Sequence, residues 1–294
     1  MHELYLSEVE NQINQYFSYQ PTTALAPSSL KSYNLVLFGK LYPFCQLKGI
    51  NRLDDSFVKH MDSFVEYLKK QGCKGQTIQS YLTITKLLFT HHGYALDYSY
   101  RIPRVDKQAR DLKREKRWFT RRDIAMCITY IFDKNHNRNH ALVRIMCETG
   151  ARLNEIASIK YEDIFINENK LLFGVSKTVP RTVKVSPETS IYLDRFISQD
   201  YSGSPVGKRV FPGKNQIYKL IIDMLKDLGL KNEKDGRGPH TFRHWLATHL
   251  YFEVGADIND IAYLLGDQRD TIQDHYLHPT PDMMANRLKR AAGF

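Results

Sequence analysis

The sequence predicts a mostly α-helical chain of two domains, the second carrying a small β-hairpin or sheet. Three observations predict it. Apolar residues recur at helical spacing through the first hundred positions with no strand pattern between them. A strongly basic stretch then divides two halves of nearly balanced charge. A two-residue period appears only around positions 171–185, on either side of a turn. At 294 residues, with 42% hydrophobic and 25% charged content, the chain is long enough for two cores and has a globular composition.

The opening "MHELYLSEVENQINQYF" is acidic and amphipathic, unlike a signal peptide, and no long uncharged apolar run predicts a membrane span. The expectation is a cytoplasmic protein without a membrane partner. Cys45, Cys73, Cys127 and Cys147 are spread out and form no C-x-x-C, which suits reduced thiols better than a disulfide frame or a zinc ribbon.

In the first domain, residues 1–100, "SSLKSYNLVLFGKLYPFCQ" offers Ser29 as an N-cap. Leu30, Tyr33, Leu37, Leu41 and Phe44 then follow at helical spacing. The next helix sets Asp55 before Phe57, Val58, Met61, Phe64, Val65 and Leu68, with Gly72 as its stop. "TIQSYLTITKLLFTHHG" is a third, closed by Gly93.

Residues 101–117 read as a linker, and most of the net charge of +10 sits in residues 101–122. Residues 1–100 hold nine Lys and Arg against eight Asp and Glu, and residues 123–294 hold 23 against 21. Residues 101–122 hold ten against three, with bases at Arg101, Arg104, Lys107, Arg110, Lys113 and Arg114 among them. A charge run of this kind is commonly a solvated connector. A basic strap between two domains is also well placed to lie along a polyanion.

The second domain, residues 118–294, opens with Thr120 capping a helix, and "NHALVRIMCETG" follows as a buried helix ending at Gly150. Two β-rich runs, 171–175 and 182–185, flank a turn with Lys177, Pro180 and Arg181. Helices are expected at about 214–229 and in "GPHTFRHWLATHL", "DINDIAYLLGD", "TIQDHYLHP" and "PDMMANRLKRAAGF". "GSPVGKR" lacks the spacing of a phosphate loop, and neither G-x-G-x-x-G nor H-E-x-x-H occurs, so no nucleotide is called for.

"GPHTFRHWLATHL" concentrates the polar chemistry. Its histidines make a polar helix face, a zinc set of His240, His244 and His249, or a phosphate holder of His240 and Arg243 one turn apart. Spacings of four and five give only a poor facial metal set. Taken singly, Arg152 is a helix-end donor, Glu155 a surface charge, and Tyr276 one of 18 tyrosines.

Taken together, the order T-G-x-R (Arg152), hairpin Lys177, H-x-x-R-H (His240, Arg243, His244), L-L-G and a late Tyr276 resembles the tyrosine recombinases of the phage-integrase type. Motifs carry the resemblance over about 115–294, and architecture alone carries it before that. It implies a helical core-binding domain and a mixed α+β catalytic domain closing like a clamp on DNA. It also implies Tyr276 as a nucleophile that forms a 3′-phosphotyrosyl bond and frees a 5′-hydroxyl. Arg152 and Arg243 would clamp the non-bridging oxygens, where charge gathers in the transition state. Lys177 would protonate the leaving alkoxide, and His240 would accept the phenol's proton, whose ordinary pKa is about 10. Glu155 and His244 would support the site, and the resemblance implies no metal and no cofactor. The partners implied are inverted-repeat duplex DNA, three further copies of the chain in a tetramer, and accessory DNA-bending proteins.

One position departs from the pattern. Where such a chain has histidine or tryptophan after L-L-G, this one has Asp267, which cannot donate when ionised and would repel a phosphate. The expectation is that it pairs with a nearby cation such as Arg269 or turns away, with the missing donor either supplied by a neighbour such as Gln268 or not needed.

If the basic strap lies on DNA, neutralising Lys107, Arg110, Lys113 and Arg114 weakens binding to every duplex. Every phosphate deprived of its cation should reduce the log–log salt slope by ~0.9. Fluorescence anisotropy across a salt series measures it, and an unchanged slope makes the strap a plain connector.

Overall fold

In the computed structural model, the described residues are 7–19, 25–106, 118–133, 137–175, 180–200, 206–232, 235–277 and 281–291. They fall in two compact units, residues 1–111 and 112–294.

Among its described residues the first unit has helices and no strand: α1 (Glu8–Ser18), α2 (Pro27–Val36), α3 (Tyr42–Lys48), α4 (Met61–Lys70) and α5 (Gly75–His91). A π-helical turn, Leu37–Leu41, joins α2 to α3 and places Leu37 and Leu41 in the core. Ser29 is not the cap: α2 begins two residues earlier, because Pro27 brings a helical φ and no N–H that needs a partner. Nor is Asp55. Asp54 accepts the Ser56 N–H and caps a short 3-10 segment ahead of α4, while the Asp55 carboxylate accepts the distant Ala95 N–H at 2.9 Å. Phe44, Phe57, Phe64 and Phe89 form the centre of the core, and the buried Gln12 amide satisfies both polar groups of Leu53 at 2.8 Å. Residues 101–106 belong to this unit. The Asp106 carboxylate accepts the Gly75 N–H, and Ile102 and Pro103 lie so close to Gly75 that a Cβ there would meet them.

The second unit comprises α6 (Arg121–Asp133), α7 (Asn137–Thr149), α8 (Leu153–Ser158), β1 (Ile164–Phe165), β2 (Lys170–Phe173), β3 (Arg181–Lys184), α9 (Pro187–Asp200) and α10 (Lys214–Asp227). It closes with α11 (Pro239–His249), α12 (Ile258–Leu265), α13 (Arg269–His275) and α14 (Pro281–Ala291). Thr120 and Asp123 cap α6 reciprocally. Helix α7 is packed by α6, α9 and α11, which explains why it is apolar on most sides.

The small sheet expected from the sequence has three antiparallel strands, in the order β1-β2-β3, and β2 and β3 are its hairpin strands. In β2 and β3, Leu171 faces Val183 and Phe173 faces Arg181. All four side chains are buried. The remaining apolar helices, α11, α12 and α13, share a smaller cluster containing Leu246, Ile258, Ile261, Leu265, Ile272 and Tyr276. Cys45, Cys127 and Cys147 are buried free thiols; burial pushes Cys45 and Cys127 up to about 12 and raises Cys147 well above the usual thiol value. Among the described residues no helix is long and apolar enough to cross a membrane.

Two glycines fix how the last elements meet. Gly150 (φ 59°) ends α7, and a Cβ there would stand 2.5 Å from Leu265. Gly266 (φ 61°) ends α12, and its Cβ would stand 2.6 Å from the Arg181 guanidinium. Gly229 has a similar φ (67°) but open space around it. Gly229→Ala should therefore cost only the left-handed backbone penalty of about 1 kcal/mol, and Gly266→Ala at least about twice that. Urea unfolding of the two variants measures the difference, and equal losses would remove the steric argument.

Candidate active site

Helix α12 ends at Leu265, and the last carbonyls of any helix lack partners within it. Here three arginines from three different elements take three consecutive carbonyls. Arg181 Nε of β3 donates to the Leu264 oxygen at 2.9 Å. Arg243 Nη2 of α11 donates to the Leu265 oxygen at 2.8 Å, and Arg152 Nη1 to the Gly266 oxygen at 3.3 Å. Cationic donors also suit the negative end of the helix dipole.

Each guanidinium is held from its other side. Arg152 precedes α8, where its N–H meets Glu155 Oε2 at 2.7 Å and its Nη1 meets Oε1 at 3.2 Å. Arg181 grips the same carboxylate with both Nη atoms, at 2.8 and 3.1 Å, and lies over the Phe173 ring. Burial would raise the Glu155 pKa, but the Arg181 bonds and charge, followed by Arg152, hold it below its usual value. Glu155 is thus an ionised, buried brace between two arginines. Arg243, only 1% exposed, also donates from Nη1 to the Gly150 oxygen at 2.9 Å.

Tyr276 is the first residue past α13, its carbonyl anchored by the Thr248 hydroxyl at 2.8 Å. Its phenol oxygen accepts from Arg243 Nε at 3.2 Å, and the Arg243 guanidinium lies 5.3 Å from the ring centre. The His244 ring packs against it, with centres 4.6 Å apart. His240, in the first turn of α11, is open to solvent and makes no hydrogen bond to the phenol. Part of the ring remains exposed, but desolvation by the protein packed around it, followed by the charges of Arg243 and Arg152, lowers its pKa, so the ring is neutral at pH 7 and retains a lone pair that can accept a proton.

Asp267 pairs with cations, as the sequence suggests, but the partners are Arg243 and Arg152 rather than Arg269. Its Oδ2 lies 2.6 Å from Arg243 Nη2 and 2.7 Å from Arg152 Nη2, with the Tyr276 hydroxyl at 3.4 Å. The reason is position: Asp267 directly follows the three clasped carbonyls, so its side chain starts beside two guanidiniums, which attract it more strongly than a solvated Arg269.

The structure therefore brings together Arg152, Glu155, Arg243, His244, Asp267 and Tyr276. Lys177, Lys107, Arg110, Lys113 and Arg114 lie outside the described residues, whereas Arg101 and Arg104 are exposed in the first unit. The zinc alternative finds no support in the geometry: among the described residues no group of three His, Cys, Asp or Glu could hold a metal ion. The residue that sequence reasoning missed is Arg181. Its signal was an arginine in phase with Val183 on the buried side of a strand.

Arg181→Met should lower stability by about 3 kcal/mol, because a buried carboxylate loses its bidentate partner. Adding Glu155→Gln should recover part of that loss in urea unfolding. A double variant as unstable as the sum of both singles would show that the pair is not coupled.

With this geometry in view, known proteins supply the family. Residues 118–283, more than half of the chain, match the phage integrase family. The tyrosine recombinase XerA of Saccharolobus solfataricus is 28% identical over 155 residues, 52% of this chain and 50% of that protein. The chain thus aligns with about half the length of that relative. A tyrosine recombinase of Thermosipho africanus is 23% identical over 83% of this chain and 86% of its own. The fold is also that of a Tn1549 transposon integrase solved with circular-intermediate DNA, with a TM-score of 0.70 at 14% identity over 96% of this chain and 99% of that one. The chain belongs to the phage integrase family.

Proposed function

We propose that the chain is a site-specific DNA recombinase that breaks and rejoins duplex DNA through Tyr276. The observation that carries the reading is the convergence of two guanidiniums and a phenol on one anion position. In this reading the Tyr276 oxygen attacks a DNA phosphorus and its proton passes to His240. The bond from phosphorus to the 5′ oxygen breaks, and Lys177 protonates the departing alkoxide. The product is a 3′-phosphotyrosyl linkage and a free 5′-hydroxyl, which keeps the bond energy for religation. Arg152 and Arg243 neutralise the charge that builds on the non-bridging oxygens.

The first unit serves as the core-binding domain, with Arg101 and Arg104 at the start of the basic strap. Four copies would assemble on two inverted-repeat sites, with accessory DNA-bending proteins as partners. Integration and excision of a mobile element is the role favoured. The transposon integrase that shares the fold supports it, and the same chemistry would serve dimer or cointegrate resolution. A second reading, a catalytically weakened DNA-binding protein, is favoured by Asp267 alone, because its carboxylate occupies the anion position. A monomeric type IB topoisomerase is set apart by relaxing supercoils without a specific site.

A nicked suicide duplex carrying the element's own ends separates the readings. The wild-type chain should form a covalent adduct on a denaturing gel. Tyr276→Phe should bind the duplex equally well and form none. Retention of the adduct in Tyr276→Phe moves the nucleophile elsewhere, and absence of any adduct from the wild type favours the weakened protein.

A further inference from the structure

We propose that the Asp267 carboxylate is an internal stand-in for the DNA phosphate, which the phosphodiester must displace before it can bind. The inference rests on the recombinase reading only for the identity of the incoming ligand.

A single oxygen, Asp267 Oδ2, satisfies Nη2 of Arg243 at 2.6 Å and Nη2 of Arg152 at 2.7 Å. These are the short contacts of charge-assisted pairs. The same oxygen is 3.4 Å from the Tyr276 hydroxyl, whose oxygen also accepts from Arg243 Nε. One anionic oxygen therefore touches both candidate phosphate-binding guanidiniums and faces the candidate nucleophile. A non-bridging phosphate oxygen bound for attack by that phenol needs the same relations. The two anions cannot share the position, since like charges at this range repel strongly in a site this sheltered from water.

The rest of the clamp does not depend on Asp267. Glu155 braces Arg152 and Arg181, and the carbonyls of Gly150, Leu265 and Gly266 hold Arg243 and Arg152. Removing the carboxylate thus leaves the guanidiniums aimed at an empty anion position. The affinity of that position for a phosphate is reduced in the wild type by the fraction of molecules in which Asp267 is in place.

Inorganic phosphate, titrated calorimetrically into the full chain with ionic strength held by chloride, tests this without DNA or chemistry. Asp267→Ala should bind phosphate at least about tenfold more tightly than wild type, the loss expected of a competing charged hydrogen bond. Asp267→Asn, which keeps the volume without the charge, should fall between them. Adding Arg152→Gln to Asp267→Ala should abolish the gain. Melting followed with and without phosphate checks folding: the anion should raise the Asp267→Ala transition more than that of wild type. If Asp267→Ala melts too early to titrate, Asp267→Asn is titrated instead. The proposal falls if neither variant binds more tightly than wild type, or if the gain survives Arg152→Gln. Because phosphate binding and the covalent adduct are read separately, either can fail while the other stands.

Discussion

The structure turns on a donor shortage at the end of one short helix. Leu264, Leu265 and Gly266 present carbonyls that α12 cannot satisfy, in a place sheltered from water. Three charged donors close that deficit, each worth about 1.5–3 kcal/mol when it bonds a buried acceptor. They come from the start of α8, from β3 and from α11, so one turn fastens elements drawn from much of the second unit. The glycines follow from the same constraint. A side chain at Gly266 would enter the space of Arg181, and one at Gly150 would push on Leu265.

Sheltering three guanidiniums creates a charge to balance. Glu155 bonds two of them and offsets one charge, and they in turn hold its pKa down. Among the described residues Arg243 bonds carbonyls, a phenol and Asp267. The region is therefore cationic by design apart from Asp267, which is the condition an anion-binding site must meet before its ligand arrives. The scaffold and the electrostatics are one arrangement: the bonds that secure the turn also aim the guanidiniums.

How much of this was legible in the sequence depended on the range of the interaction. Helices α4, α5 and α7 were legible because their apolar stripes and stops at Gly72, Gly93 and Gly150 are local patterns. Caps were less so: Ser29 and Asp55 have the right chemistry, but Pro27 and Asp54 reach the helix start first. Strand β1 is two residues long and carries no period, and α9 is stabilised largely by packing on α7, a contact no window contains. In the site, Arg152, Arg243 and Tyr276 were legible from ordered motifs. Arg181 was read as a turn residue because its partner Glu155 lies 26 positions earlier. That Asp267 pairs with a cation is legible, but which one is not, because Arg269 is near in sequence whereas Arg152 and Arg243 are near in space.

The placement of Asp267 also couples events that would otherwise be separate. Its carboxylate engages both arginines and lies within reach of the phenol, while Arg243 Nε holds the phenol oxygen. Moving that one side chain would free two guanidiniums and release a hydrogen-bond acceptor from the Tyr276 hydroxyl at the same moment. A phosphodiester that took its place would meet the two guanidiniums and the phenol together. Until then the carboxylate holds the anion position, and an incoming set of oxygens must fit the two arginines better to replace it. The departure at position 267 is then consistent with the intact arginines and tyrosine around it: it sets when the site is available and leaves what the site contains unchanged.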